Sequence, residues 1–153
     1  MPIPEFTEYG LLPPGRFDAT RHEIADRYLQ NPNRAAIWEK FEQFLAELQT
    51  QSWTTSIDAY LLDGGFTSNK AATKDIDVVI DISSADDLVL YEAYFWLNSE
   101  KARLESDYQV DAYPYHPKIG NDLRDYFTYV KSTECVQKGA PLDTRKGLIV
   151  FKP

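Results

Sequence analysis

The stretch from Leu61 to Ile82, LLDGGFTSNKAATKDIDVVIDI, constrains the fold more than any other part of the chain. An apolar run stops at the glycine pair Gly64-Gly65, and a small polar loop follows. A β-rich run then begins with Asp75 and Asp77, two positions apart. Side chains two apart on a strand share a face. Asp75 and Asp77 are therefore expected on one side of a strand, with Ile76, Val78, Ile80 and Ile82 turned into a core on the other.

Neighbouring carboxylates repel, and each raises the pKa of the other unless a positive charge intervenes. A divalent cation is the usual neutraliser. Mg²⁺, or Mn²⁺ in its place, suits hard oxygen ligands, and Mg²⁺ commonly binds one or two carboxylates while water and substrate phosphates complete its shell. The glycine pair fits the same chemistry, since residues without side chains let backbone N–H groups approach an anion. Phosphate on the glycine side and metal on the aspartate side describe a nucleoside triphosphate site. Taken singly, an acidic pair on a strand is often a solvated edge and Gly-Gly a plain turn. The conjunction carries the reading.

These residues resemble the signature of minimal nucleotidyltransferases of the DNA-polymerase-β-like superfamily. There, a Gly-Gly or Gly-Ser pair precedes Asp-x-Asp or Asp-x-Glu by roughly ten residues, and a third acid follows on a later strand. Gly64-Gly65 and Asp75-Ile76-Asp77 match the first two elements, and Asp111 in YQVDAYPY matches the third. The match spans Leu61 to Asp111, about a third of the chain. Small members usually carry Gly-Ser with a further Gly or basic residue soon after, whereas this chain has Gly65-Phe66-Thr67-Ser68.

The resemblance implies that Asp75, Asp77 and Asp111 are catalytic and hold one or two Mg²⁺ or Mn²⁺ ions. It also implies that Gly64 and Gly65 hold the triphosphate through backbone amides, helped by Ser68 or Lys70. Small relatives include antitoxins that add nucleotides to a toxin protein, and enzymes that modify small molecules such as aminoglycosides. A partner protein is the acceptor expected here.

The chain of 153 residues is expected to form a single domain over 20–153, preceded by an extended Pro-rich arm over 1–19. A net charge of −8 and a pI near 4.7 disfavour general binding to nucleic acid. A lone cysteine, Cys135, precludes an internal disulfide and suits a reducing compartment. No apolar run approaches membrane-spanning length and no signal-like start is evident. The expected localisation is therefore cytoplasmic, without membrane association.

Along the chain, Pro2, Pro4, Pro13 and Pro14 favour an extended arm lying across the surface through Ile3, Phe6, Leu11, Leu12 and Phe17. Thr20-Arg21-His22-Glu23 reads as a capping box opening a short helix to about Leu29. Ile37, Phe41, Phe44, Leu45 and Leu48 recur at helical spacing after Pro32. Alternation predicts strands over 55–62, from Asp75, around Val110 and over Leu148–Phe151. A helix capped near Ser84 is expected over about 86–102, carrying so many aromatics that one face is left for a partner. Asn121 is expected to cap a last helix ending by Gly139. His22 and His116 read as surface and loop residues. The fold class is α+β (or α/β), a small mixed sheet flanked by helices.

Two other functions compete with the enzyme. One is a non-catalytic interaction protein that keeps the nucleotidyltransferase fold and binds through helix 86–102 and the arm. The other is a metal-dependent hydrolase that uses the same acids without releasing pyrophosphate.

Overall fold

Alternation in β3 (Ile76–Asp81) sorts its side chains as predicted: Ile76, Val78 and Ile80 are buried on one face, and Asp77 is half-buried on the other. This strand lies near the middle of the architecture in a computed structural model that describes residues 3–153. Met1 and Pro2 of the expected arm thus lie outside the described residues. β2 (Ala59–Asp63) runs antiparallel to β3, and β4 (Val110–Tyr115) runs parallel to it. β5 (Leu148–Phe151) pairs antiparallel with β2, and β1 (Arg16–Asp18) lies parallel to β5. The result is one mixed five-stranded sheet in the order β1-β5-β2-β3-β4.

Three helices cover one face of this sheet. Thr20 caps α1 (Arg21–Tyr28), its hydroxyl accepting from the Glu23 N–H at 3.1 Å. Asn31 caps α2 (Pro32–Leu48), with proline in the first turn where its missing N–H costs nothing. Asp86 caps α3 (Asp87–Tyr108), which links the parallel strands β3 and β4. The stripe Ile37, Phe41, Phe44, Leu45 and Leu48 packs on Tyr60, Leu62, Ile149 and Phe151. Each such side chain contributes about 1.5–3 kcal/mol by leaving water, so this face holds most of the core. The opposite face carries a smaller cluster of Ala59, Leu61, Val79, Tyr115, Leu148 and Val150, under Leu123 and Phe127. None of the described helices is long and apolar enough to cross a membrane.

Several boundaries differ from the sequence reading. α3 continues to Tyr108 rather than stopping near Ala102, because Leu104 extends its buried stripe and Arg103 pairs with Glu47, Glu100 and Asp107. It ends where Gln109 takes a left-handed φ of 54°. The single closing helix is two: α4 (Leu123–Tyr126), capped by Asp122 rather than Asn121, and α5 (Ser132–Lys138). Between them Tyr129 bridges to Arg145, which pulls the backbone out of helix. Ser52–Ser56 forms a 3₁₀ turn, so β2 starts only at Ala59. Pro114 sits inside β4, because β4 is an edge strand and no outer neighbour needs the absent N–H.

The arm is more than a strap across the surface. Ile3 and Leu12 enter the main core, Leu11 packs with Val130 and buried Cys135, and Arg16–Asp18 supplies one of the two edge strands of the described sheet. His116 is also buried: its Nδ1 accepts from the Lys118 N–H, so Nε2–H donates to the Ala85 carbonyl at 3.0 Å. It pins the turn after β4.

Candidate active site

Strand register brings three carboxylates into one row. Asp63 at the end of β2 pairs with Asp77 of β3, and Asp77 pairs with Asp111 of β4. Residues in register on adjacent strands project from the same face, here the face opposite the helical core. Asp75 stands two residues before Asp77, at the margin of the same group.

The loop after β2 is shaped around this row. Gly64 has φ of +84°, and a Cβ there would collide with the Asp77 carboxylate. The position demands glycine twice, once for its backbone and once for the space. Phe66 then turns inward, fully buried between Tyr28 at 5.5 Å and Trp38 at 5.7 Å between ring centroids. What departs from a Gly-Ser pattern in sequence is the anchor of the loop in space.

Arg34 of α2 holds the rest of that loop. Its guanidinium donates to the carbonyls of Phe66 at 2.6 Å, Ser68 at 2.8 Å, Lys70 at 2.7 Å and Gly65 at 3.2 Å. The Tyr28 hydroxyl donates to the Thr67 carbonyl, and the Asn31 and Asn33 side-chain amides reach Ala71 and Thr73. A buried cation fully paired with carbonyl oxygens gives a rigid loop from residues that form no regular element.

Charge on the acid row is unevenly balanced. Burial, then the charges of Asp75, Asp63 and Asp111, push the Asp77 carboxyl up to about 7, against partial relief from Lys146. Burial, followed by Asp111 and Glu105, raises Asp75. Burial raises Asp63 as well, opposed by Lys146, whose Nζ lies 3.1 Å from Oδ1 as an ion pair off the angle of a hydrogen bond. Asp111 is held from both sides. Lys101 Nζ donates to Oδ1 at 2.6 Å, and the Tyr113 hydroxyl donates to Oδ2 at 2.6 Å.

The row forms part of the wall of a cavity of about 710 Å³. Gly64, Gly65 and Lys70 line it beside Asp63, Asp77 and Asp111, while Lys131 and Lys146 add positive charge. Tyr113, Tyr126, Phe127 and Tyr129 form an aromatic wall. Of the residues singled out in the sequence, Asp77, Asp111, Gly64, Gly65 and Lys70 meet here and Asp75 flanks them. Ser68 does not join them. It is buried, its hydroxyl donates to the Gly65 carbonyl at 2.7 Å, and it borders a separate groove behind the loop.

All the acidic donors are oxygens, as Mg²⁺ or Mn²⁺ prefers. Among the described residues, no group of three or more His, Cys, Asp or Glu side chains is arranged to hold a metal ion unaided. Mg²⁺ needs only one or two carboxylates when substrate phosphates and water supply the remainder. Asp77, crowded by Asp75 and short of positive charge, meets that requirement. Asp63 and Asp111 already have lysine partners.

Four residues that matter here were not singled out by sequence reasoning: Asp63, Lys101, Lys146 and Arg34. Asp63 carried a signal, since it continues the alternation Ala59, Leu61, Asp63 into the first glycine. Lys101 reaches Asp111 ten positions on, Lys146 and Arg34 act across longer separations, and none of the three carried one.

Comparison with curated proteins and with solved structures gives no match. Over residues 4–151 the chain matches the model of DUF6932, a family of unknown function, and it belongs to that family.

Proposed function

We propose that this protein is a metal-dependent nucleotidyltransferase that moves a nucleoside monophosphate from a nucleoside triphosphate to a hydroxyl acceptor. The observation that carries this reading is the joint placement of Gly64 and Asp77, the glycine turn lying directly against the central acid of a carboxylate row. A nucleotidyltransferase-like arrangement of the mixed sheet belongs to the same proposal.

Asp75 and Asp77 would hold Mg²⁺ or Mn²⁺. When bound, such an ion supplies positive charge that neutralises the phosphates and the departing pyrophosphate. Gly64 and Gly65 let the phosphate chain approach the backbone, and Lys70, Lys131 and Lys146 draw it into the cavity. The acceptor oxygen bonds to the α-phosphorus as the bond to the β-phosphate oxygen breaks, pyrophosphate departs, and the hydroxyl proton passes to water. Positioning and charge neutralisation supply most of the acceleration in such a transfer. The acceptor in this reading is a partner protein, as in antitoxin-type relatives of the superfamily.

A second reading, a non-catalytic interaction protein, is favoured by the face of α3. Leu88, Tyr91 and Phe95 are exposed there, with the rings of Tyr91 and Phe95 stacked at 6.3 Å. Incubation with each α-labelled nucleoside triphosphate and Mg²⁺ separates the two. Label transfer with pyrophosphate release, lost in Asp75→Ala/Asp77→Ala, supports the transferase. No transfer and no nucleotide binding favour the interaction protein, and nucleotide hydrolysis without pyrophosphate favours a hydrolase.

A further inference from the structure

We infer that Lys101 is a resident cation for Asp111, so that the acid row takes up one divalent ion rather than two. The inference rests on the transferase reading and specifies how its site is charged. Lys101 projects from α3, which packs on the opposite face of the sheet, and β4 is an edge strand, so the side chain reaches Asp111 around that edge. There Nζ makes three contacts: Asp111 Oδ1 at 2.6 Å, the Ala112 carbonyl at 3.4 Å, and the Tyr113 ring with its centroid 3.6 Å away. An ammonium that has a carboxylate, a carbonyl and an aromatic face around it occupies a formed site, not a chance surface pairing.

The Tyr113 hydroxyl closes the other side of Asp111 through Oδ2. Both oxygens of this carboxylate are therefore engaged by donors, whereas Asp77 lies among acids and a glycine, with partial relief from Lys146, which is paired with Asp63. At Asp111 a second divalent ion would have to displace an ammonium already in contact. At Asp77 no ammonium has to leave. Lys101 thus acts as a positioning residue, fixing Asp111 and supplying a charge that two-metal sites take from their second ion.

The test counts Mn²⁺ on the full chain in the presence of a non-hydrolysable nucleoside triphosphate, by the loss of the free-ion electron paramagnetic signal against a protein-free blank of the same nucleotide. Wild type is expected to bind one ion. Lys101→Met, which keeps an unbranched stem as far as Cε and removes the ammonium, is expected to bind a second, and Lys101→Arg to return to one. Adding Asp111→Asn to Lys101→Met should abolish the second ion, which assigns it to Asp111. Thermal melts confirm that each variant is folded. Two ions on the wild type, or one on Lys101→Met, would overturn the inference and leave the transferase reading standing. No ion on any variant would overturn both.

Discussion

The Asp77 carboxylate occupies the space that a Cβ on Gly64 would fill. Glycine turn and acid row are thus one structure, and a single added methyl must disturb both. Gly64→Ala is expected to cost about 2–4 kcal/mol from the left-handed backbone and the clash, and to weaken Mn²⁺ binding. Gly139→Ala is the control. It also has positive φ, 68°, but no atom lies within 4 Å of the added Cβ, so it should cost backbone strain alone and leave Mn²⁺ binding unchanged. Melting curves and Mn²⁺ titrations read both effects.

The metal-free protein should lose stability as pH rises through the Asp77 window. An unfolded aspartate ionises near pH 4, while burial and then Asp75, Asp63 and Asp111 hold folded Asp77 up to about 7. Below pH 4 the group is neutral in both states and carries no penalty. Between 4 and 7 the unfolded chain releases the proton first, so folding weakens, and above 7 the loss is constant. In EDTA, Asp77→Asn should therefore be more stable than wild type by about 2–4 kcal/mol at pH 8, and little different at pH 4. Urea unfolding at the two pH values checks the sign.

Among the described residues, Arg34 is the cation on which the glycine loop closes, through the carbonyls of Gly65, Phe66, Ser68 and Lys70. Arg34→Met would leave these oxygens without their donor in a buried place, an expected loss of about 3–5 kcal/mol. Arg34→Lys should not restore it, because an ammonium lacks the planar fork that serves several carbonyls at once. Urea midpoints, with limited proteolysis of the 64–75 loop, test the loss and its location.

Sequence reasoning reached the parts of this fold that repeat with a short period. The alternation Ile76, Val78, Ile80 fixes which face Asp77 takes, and Val110, Ala112 does the same for Asp111, so their common face was legible without coordinates. Asp63 was passed over because the strand was expected to end at Leu62, one residue before the acid that completes the row. The break between α4 and α5 depends on Tyr129 bridging to Arg145, sixteen positions away, and helical periodicity carries no trace of such a pairing. Lys101, Lys146 and Arg34 are ordinary surface-type residues in sequence. Only the edge position of β4 and the crossing of α2 over the loop give them work.

Membership of DUF6932 covers residues 4–151, including the arm that supplies β1 and part of the core. The arm and the domain thus fall within one family unit. The exposed aromatic face of α3 and the cavity with its acid row point from opposite faces of the sheet. A protein acceptor bound at the first would need a further segment to reach the second, which is a constraint on any partner.

The most direct test is isothermal titration of the metal-free protein with Mn²⁺ in the presence of a non-hydrolysable nucleoside triphosphate, beside Asp75→Asn/Asp77→Asn. Saturable binding by wild type that vanishes in the double variant is the result expected. Absence of binding with all four triphosphates, or equal binding by the double variant, would contradict the assignment of these two acids as the metal and nucleotide site.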